Sequence, residues 1–265
     1  MSDTLSGPGL NVDMHPGGVA VLSLDRPGAG NSINLALAEA LDAAVTRLAD
    51  EPGLVALVLT GAGGKFFCTG GDLKEYRAIA DRDDLEAVFG RVRQVLDRLE
   101  DFPVPVIAAV EGYALGGGAE LVLACDHRIA AAGAQLGFAQ VRLGIVPGWN
   151  GIERLVRAAG RWRAIEMLST GRRLDAQEAL VVGLVDRVVA DGAALEAALA
   201  LAAELRHAAP LALRAVKRLV SEAETGGRAA RTDAAERFAA LWFSADHREA
   251  EAAFAEKRKP VFSGH

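Results

Sequence analysis

Three consecutive glycines stand at the centre of the stretch Val110-Glu111-Gly112-Tyr113-Ala114-Leu115-Gly116-Gly117-Gly118-Ala119-Glu120-Leu121. An apolar run over residues 104–110 predicts a buried strand before them, and residues 119–125 predict a helix after them. Glycine lacks Cβ, so its amide can approach a ligand closely at a helix start, where unpaired N–H groups favour negative charge. Glu120 falls in the first helical turn, near enough to act as an acid or base. The stretch predicts either an oxyanion hole with a carboxyl group beside it or a tight strand-to-helix turn with a capping glutamate.

The chain before this turn predicts an α/β architecture. Residues 19–24 and 54–60 are apolar runs typical of strands, and the second lacks alternation, as a strand buried on both faces would. Between them, residues 35–50 predict an amphipathic helix that Asn31 or Ser32 can cap. This β–α–β order implies that the two strands pair in parallel.

A second glycine turn lies within Gly61-Ala62-Gly63-Gly64-Lys65-Phe66-Phe67-Cys68-Thr69-Gly70-Gly71-Asp72-Leu73-Lys74. A phosphate-binding loop is excluded, because Leu59 and Phe66 stand where that pattern requires glycine and Ser or Thr. No G-x-G-x-x-G occurs near either turn, so a dinucleotide site has no support. Asp72 is interpreted as a helix cap rather than a catalyst. Two glycine turns, each with free amides at a helix start, can converge on one oxygen.

The second half of the chain becomes increasingly helical. An amphipathic helix is predicted over residues 83–100, and short strands over 126–131 and 135–138. Residues 139–151 form a loop that is too apolar and glycine-rich for ordinary surface. Helices follow at 152–159, 161–169 and 176–182, then a short strand at 184–189 and three Ala-rich helices. The N-terminal part of the chain is therefore predicted to be α/β and the final third helical, with a boundary near residues 190–210.

Composition narrows the class of protein. The chain has 265 residues, of which 51% are hydrophobic and 24% charged, as in a globular protein. A net charge of −6 argues against a nucleic-acid surface, and no apolar run reaches the ~18 residues of a membrane span. The N-terminus does not resemble a secretory signal, and two cysteines suggest a reducing compartment, so we expect a cytoplasmic protein. Five histidines without ligand spacing predict no metal site.

Several motifs follow one another in a fixed order. They are Leu24-Asp25-Arg26-Pro27 with Asn31, Phe66-Phe67-Cys68-Thr69-Gly70-Gly71-Asp72-Leu73, Glu111-Gly112-Tyr113-Ala114-Leu115-Gly116-Gly117-Gly118-Ala119-Glu120, Leu143-Gly144-Ile145-Val146-Pro147, and Phe254-Ala255-Glu256-Lys257-Arg258. In this order they resemble the crotonase superfamily, that is, enoyl-CoA hydratases and isomerases, from about residue 19 to residue 262.

The resemblance implies a crotonase-like spiral of ββα units with a helical C-terminal region. Residues 1–200 would form the core with the CoA and acyl site, and residues 201–265 would serve oligomerisation and contact CoA. Such proteins usually assemble as trimers or as hexamers of two trimers. Coenzyme A would enter as part of an acyl-CoA substrate, with no separate cofactor.

The resemblance also assigns roles to individual residues. The amides of Gly71 and Gly117 would hold the thioester oxygen. Thr69 and Leu73 would contact the CoA adenine and pantetheine arm through backbone groups, with Lys74 near the phosphates. Phe254 and Lys257 match positions that in relatives often reach the CoA of a neighbouring subunit.

The residues available for acid–base catalysis differ from those usual in this family. A thioester oxygen held by two amides makes the α-carbon acidic, because the enolate places its charge on that oxygen. Hydratases of this family typically have two glutamates, one matching Glu120 and one four residues before the glycine that matches Gly144. This chain has Gln140 at the second position, and a carboxamide can orient water but cannot exchange a proton near neutral pH.

Two residues near Gln140 also differ from those usual in the family. Ala139 stands where proline is frequent, and Trp149 follows Pro147-Gly148 where relatives usually carry a small residue. Trp149 is either a core anchor or a wall, together with Gly148, that narrows the acyl pocket. Arg142 receives no role.

The sequence is compatible with three functions. The first is a lyase that hydrates an enoyl-CoA or dehydrates a β-hydroxyacyl-CoA, with Glu120 as acid and base and Gln140 placing water. The second is decarboxylation of a malonyl-type acyl-CoA, which needs only a proton donor once carbon dioxide has left. The third is an acyl-CoA-binding protein without turnover, in which Glu120 merely caps its helix.

Overall fold

A computed structural model describes residues 5–225 and 236–265. Ten strands in these residues form two sheets. They are β1 (Leu10–His15), β2 (Val19–Leu24), β3 (Ala56–Gly61), β4 (Phe66–Cys68), β5 (Val106–Val110), β6 (Tyr113–Leu115), β7 (His127–Ala131), β8 (Gln135–Gly137), β9 (Arg173–Asp175) and β10 (Arg187–Val189).

The larger sheet has the order β1-β2-β3-β5-β7-β10. Its neighbours pair in parallel except for β1 and β2, and Val19 of β2 faces Ala56 of β3, as the β–α–β pattern predicts. All five residues of β5 are buried, because this strand lies at the centre of a sheet covered on both faces. The apolar run before the glycines is therefore a central strand, although it begins at Val106 rather than at residue 104.

The smaller sheet has the order β4-β6-β8-β9. Consecutive strands alternate between the sheets, since β3, β5 and β7 belong to the larger sheet and β4, β6 and β8 to the smaller one. Helices follow these strand pairs, so the chain repeats a strand-strand-helix unit. This is the α/β spiral that the resemblance implies. The sequence analysis did not foresee four of its strands: β1, β4, β6 and β9.

The described residues also contain ten α-helices, in addition to a helical stretch over residues 236–242. They are α1 (Leu35–Ala49), α2 (Leu73–Tyr76), α3 (Arg82–Glu100), α4 (Gly117–Leu123), α5 (Gly151–Ala159), α6 (Arg161–Thr170), α7 (Ala176–Val182), α8 (Ala194–Leu205), α9 (Pro210–Thr225) and α10 (Ala245–Glu256).

Apolar side chains on both faces of the larger sheet fix its layers. Helices α1 and α3 contribute to the main core on one face. On the other face, Ala194, Ala198 and Ala202 of α8 pack against residues of β2, β3, β5 and β7. Small residues at every fourth position let α8 approach the sheet closely. The boundary expected after residue 200 falls inside this helix.

The cap of α1 differs from the sequence expectation. Asn34, not Asn31 or Ser32, accepts the hydrogen bond from the amide of Leu37. Asn31 is fully buried with φ of 52°, and its amide group instead donates to the carbonyls of Ala62 and Phe66. The reason is tertiary, because this asparagine joins the loops after β2 and β3.

Helix α9 is tied to the core by a lysine whose side chain is only 8% exposed. Lys217 on α9 donates from Nζ to the carbonyls of Leu99 and Val104 and to the carboxylate of Asp126. In the described ranges, no helix combines the length and apolar character that crossing a lipid bilayer requires.

Candidate functional site

The two glycine turns meet at one edge of the smaller sheet. Strands β4 and β6 pair in parallel, so the turns that follow them leave the sheet side by side. Gly70 and Gly116 have φ of 94° and 56°, which favours glycine at both positions. A Cβ atom on Gly70 would lie 2.8 Å from the amide nitrogen of Gly117. Only glycine at position 70 allows this contact, and the contact holds the two turns side by side.

Each turn offers a backbone amide at this junction. Gly117 is the first residue of α4, where an amide has no partner within its own helix. Gly71 forms an isolated parallel bridge with Ile33, through the carbonyl of Gly70 and the amide of Asp72. That pairing engages the groups on either side of Gly71 and directs its own N–H away from Ile33. Two amides at helix starts can together stabilise a negatively charged oxygen.

A capping carboxylate and an arginine hold the first turn. Asp72 accepts hydrogen bonds from the amides of Lys74 and Glu75, as expected of the cap of α2. It also pairs with Arg26 at 2.8 Å. Burial alone would raise the pKa of Asp72, but these hydrogen bonds and the Arg26 charge hold that pKa below its usual value. Helix α2 is short and ends at Tyr76.

Glu120 lies beside the two amides and is only 1% exposed. Its Oε2 accepts hydrogen bonds from the amides of Trp149, at 2.8 Å, and Gly151, at 3.0 Å. Its Oε1 accepts one from Nε2 of Gln140 at 2.9 Å. The interpretation of Glu120 as a surface cap is therefore wrong, since the side chain turns inward and binds a loop about thirty residues further along the chain.

Burial raises the pKa of Glu120 above the usual value for a carboxyl group, although the three donors oppose this effect. Desolvation disfavours the charged form, whereas hydrogen bonds from N–H groups favour it. A carboxyl group with a raised pKa is better suited to give up and take back a proton near neutral pH.

Gln140 is buried, with 7% of its surface exposed, at the start of a short 3₁₀ segment, Ala139–Leu143. Its carbonyl oxygen Oε1 has no hydrogen-bond partner among the described residues. A buried acceptor without a partner is costly, so a donor from a bound molecule would be favoured there. The amide thus uses its N–H on Glu120 and leaves its oxygen for a second donor.

Two residues that the sequence analysis missed support these contacts, Gly151 directly and Arg154 through Trp149. A Cβ on Gly151 would lie 2.4 Å from Cγ of Glu120, so only glycine lets this amide reach the carboxylate. Arg154 is 4% exposed and donates from Nη1 to the carbonyl of Trp149 at 2.9 Å. The glycine at the start of the predicted helix was a usable signal for Gly151. Nothing in the local pattern distinguished Arg154 from a surface arginine.

A cavity of about 100 Å³ opens between the two glycine turns and the loop after β8. Its lining includes eight residues that the sequence analysis assigned to a site: Thr69, Gly71, Leu73, Gly117, Glu120, Gln140, Gly148 and Trp149. Tyr76 and Phe89 also line it and were not assigned. Leu143, Ile145 and Val146 line its mouth and are exposed, which accounts for the apolar character of the loop.

Three of the assigned residues lie outside this lining. Lys74 is exposed in α2, next to Leu73. Phe254, which is 88% exposed, and Lys257 lie at the end of α10. Larger cavities occur elsewhere, between α9 and the core, but they contain neither the glycine amides nor Glu120.

Neither a reactive thiol nor a metal centre is found at the site among the described residues. Burial raises the pKa of the Cys68 thiol to about 12, so this thiol stays protonated and is a poor nucleophile at neutral pH. Among residues 5–225 and 236–265, no group of three or more His, Cys, Asp or Glu side chains is arranged to hold a metal ion.

Comparison with known proteins identifies the family. The family model described as enoyl-CoA hydratase/isomerase matches residues 14–265. An enoyl-CoA isomerase/hydratase of Mycosarcoma maydis is 40% identical over 257 residues, covering 93% of each chain. A carnitinyl-CoA dehydratase of Citrobacter koseri is 41% identical over 254 residues, covering 94% of this chain and 96% of the relative. The crystal structure of an enoyl-CoA hydratase from Bacillus anthracis superimposes with a TM-score of 0.93 at 38% identity, covering 97% of this chain and all of the other. The chain belongs to the enoyl-CoA hydratase/isomerase family and has the crotonase fold.

Proposed function

We propose that this protein is a hydratase-type lyase, which adds water to C2=C3 of an enoyl-CoA or removes water in the reverse direction. The observation that carries the proposal is the buried carboxyl group of Glu120, which lines one cavity with Gly71 and Gly117 and has a raised pKa. Relatives named as enoyl-CoA hydratase and carnitinyl-CoA dehydratase support an acyl-CoA substrate and this class of reaction.

The first step is addition of water with Glu120 as base. The amides of Gly71 and Gly117 bind the thioester oxygen. As the water oxygen forms a bond to C3, the π electrons of C2=C3 move toward the thioester, and its oxygen becomes the enolate oxygen. The proton of that water passes to Glu120. A single amide donor of this kind commonly contributes ~10²–10³ in rate.

The second step returns the proton. Protonated Glu120 delivers it to C2, the enolate collapses to the thioester, and the carboxylate is restored. Water has then been added without any net change in the enzyme. A carboxyl group that serves in turn as base and acid benefits from a pKa closer to neutrality, which is the direction of the shift at Glu120.

Gln140 positions the reacting water in this scheme. Its Nε2 holds Oε1 of Glu120, and its own Oε1, which lacks a partner among the described residues, accepts the second hydrogen of the water. The water is thereby oriented between the carbonyl oxygen of Gln140 and the carboxylate of Glu120. The glutamine contributes orientation but no proton transfer.

The remaining assignments complete the proposal. Thr69, Leu73 and Lys74 contact the CoA portion of the substrate, and Phe254 and Lys257 reach the CoA bound to a neighbouring subunit of a homotrimer or homohexamer. The protein uses no cofactor apart from the CoA of its substrate and works in the cytoplasm. Two free, buried cysteines support a reducing compartment.

Product analysis tests the reaction class. The purified protein is incubated separately with crotonyl-CoA, a 3-enoyl-CoA and an alkylmalonyl-CoA, and products are identified by mass spectrometry. We expect a mass gain of one water from crotonyl-CoA. Glu120→Gln should lower this rate by ~10²–10⁴, whereas Glu153→Gln, on an exposed part of α5, should leave it unchanged. Normal hydration by folded Glu120→Gln would remove Glu120 from the mechanism.

Decarboxylation of a malonyl-type acyl-CoA is the second candidate, and the neutral side chain of Gln140 favours it. Loss of carbon dioxide generates the same enolate, so only a proton donor is needed. A second anion at position 140 would repel the substrate carboxylate. The charge-neutral amide 2.9 Å from Glu120 is compatible with such a substrate.

The variant Gln140→Glu separates the two candidates. It places two carboxyl groups within hydrogen-bond distance, where mutual repulsion keeps a proton on one of them. For a hydratase, the second acid–base group should raise crotonyl-CoA hydration at least tenfold, since such groups typically contribute ~10²–10⁴ in rate. The control Gln94→Glu adds the same charge on the exposed side of α3 and should have no effect. A loss of activity on every substrate would instead move decarboxylation to first place.

A further inference from the structure

We infer that the site selects short acyl groups, on the order of four carbons, and that Trp149 and Phe89 set this limit. The inference rests on the proposed acyl-CoA substrate and adds the class of acyl chain. It starts from the walls of the cavity that contains Glu120.

Three aromatic rings line this cavity, those of Trp149, Phe89 and Tyr76. The indole of Trp149 packs against Gly117, since a Cβ there would lie 2.2 Å from Cζ3 of the ring. Phe89 packs against Gly148 in the same way, with Cδ1 2.8 Å from such a Cβ. Tyr76 stands beside Gly71, and its ring centroid lies 5.2 Å from that of Phe89. The Trp149 and Tyr76 rings thus stand against the two glycines whose amides would bind the oxygen, and Phe89 stands beside Tyr76.

The cavity is small. It measures about 100 Å³, well below the roughly 300–1,000 Å³ of sites that enclose drug-sized ligands. Space on this scale suits a four-carbon acyl group better than an eight-carbon group.

The main wall is fixed in place. Trp149 is 2% exposed, its amide donates to Glu120, and its carbonyl accepts from Arg154. Both of its backbone groups are therefore held by buried side chains. Moving the indole to admit a longer chain would disturb the contact with Glu120, and a close-packed interior resists such a shift.

The same lining also extends over the cavity mouth. Leu143 and Val146 line that mouth and are 59% and 69% exposed. A longer chain lying across them would keep most of its added methylenes in water. Complete burial of one methylene raises affinity about fourfold. A chain that lies across the mouth would gain little of this increase.

Binding of saturated acyl-CoAs, which cannot be hydrated, tests the inference. Calorimetry compares butyryl-CoA with octanoyl-CoA, which carries four more methylenes. Complete burial would strengthen octanoyl-CoA binding about 200-fold. We expect less than tenfold in the parent protein, and a gain of tenfold or more would overturn the inference.

Two variants test the assigned residues. Trp149→Leu and Phe89→Ala should each raise the ratio of octanoyl-CoA to butyryl-CoA affinity at least fivefold. The control Trp162→Leu replaces a tryptophan that is 77% exposed on α6 and should leave the ratio unchanged. Phe89 is only partly buried, so Phe89→Ala provides a second measurement if Trp149→Leu does not fold. An unchanged ratio in folded Phe89→Ala protein would overturn the role of this wall.

The same measurements separate this inference from the proposed reaction. Tight butyryl-CoA binding with a small chain-length gain, but no hydrated product from any enoyl-CoA, would leave the chain-length limit standing and remove the lyase. Efficient hydration of crotonyl-CoA with a tenfold or greater gain for octanoyl-CoA would do the opposite. If neither acyl-CoA binds, both proposals fail.

Discussion

At the scale of single residues, Glu120 combines burial with an unusual number of donors. Three N–H groups from Gln140, Trp149 and Gly151 point at its two oxygens. Even so, burial dominates and raises its pKa. This residue therefore costs stability in its charged form, as functional groups in closed sites often do.

The pH dependence of stability should report this cost. A carboxyl group whose pKa is raised on folding binds more protons in the folded than in the unfolded state. Its contribution to stability is therefore best below the unfolded pKa of about 4.3 and is lost as pH rises through the folded pKa. Glu120→Gln removes the titration, so the stability of the variant relative to the parent should improve from pH 4.5 to pH 8. Urea denaturation at both values measures it, and a constant difference between the proteins would contradict the raised pKa.

The packing of Trp149 on Gly117 predicts a size-dependent coupling. Gly117→Ala places a methyl group against the indole and should destabilise the protein by about 1–3 kcal/mol, the usual range for overpacking. Trp149→Ala creates a cavity that should cost about 3–5 kcal/mol.

The double variant should be less destabilised than the sum of the two, because the methyl group then enters the vacated space. Denaturant titrations of all four proteins give the coupling free energy. Strict additivity would show that the ring does not limit the space at Gly117.

At the scale of elements, one buried arginine connects helices α3 and α5 to the loop that contains Trp149. Arg154 on α5 pairs with Asp97 and Glu100 of α3 at 2.6 and 2.8 Å. Its third contact is the carbonyl of Trp149, whose amide holds Glu120. The orientation of the proposed acid–base group thus depends on how α3 and α5 pack together.

Arg154→Met should therefore weaken both stability and catalysis. Methionine fills much of the volume but leaves the Trp149 carbonyl without its donor and the two acids without their buried partner. We expect a loss of about 3 kcal/mol in unfolding free energy and a lower kcat.

The matched control is Arg157→Met, three residues along α5, whose partly exposed ion pairs with Glu100 and Glu224 should contribute less than about 1 kcal/mol. Equal effects of the two substitutions, measured by urea denaturation and steady-state kinetics, would refute the proposed link through Trp149.

At the scale of the whole molecule, the C-terminal region carries large exposed apolar side chains. Phe238, Trp242, Phe243, Phe254 and Val261 are each at least half exposed. Single exposed hydrophobic residues are ordinary, but several aromatic ones in one region indicate a surface that another chain covers. This supports the proposal that residues 201–265 serve assembly.

We predict a homotrimer or homohexamer in solution. Cyclic symmetry is the common way for identical chains to cover such surfaces. Light scattering should give three or six times the chain mass of 27.7 kDa. Phe254→Ser should shift the distribution toward smaller species, whereas Val141→Ser, on the loop after β8, should not. A parent protein that stays at 27.7 kDa at working concentration would overturn the assembly and the cross-subunit CoA contact.

The sequence by itself determined the elements that local chemistry specifies. Continuous apolar runs predicted the central strands, and the glycine pairs predicted the two turns, because only glycine adopts φ near 90° without strain and admits contact as close as that between Gly70 and Gly117. Asp72 was predicted as a cap for a similarly local reason, since its side chain reaches amides two and three residues ahead. The order of these signals also sufficed for the family.

Tertiary structure decided everything that depends on distance through space. The local sequence allowed Glu120 to be either a cap of its helix or an acid–base group, and packing placed the loop of Trp149 and Gly151 against it. Arg154 resembled any surface arginine until α3 supplied two acids. Asn34 rather than Asn31 capped α1, because Asn31 was needed between two loops. The short strands β1 and β9 form at sheet edges, where the neighbouring strand supplies the hydrogen bonds that three to six residues cannot make alone. Local sequence patterns determine which secondary structure a segment can form. Contacts between segments determine which side chains pack together, and this packing buries Glu120 and sets the size of the cavity.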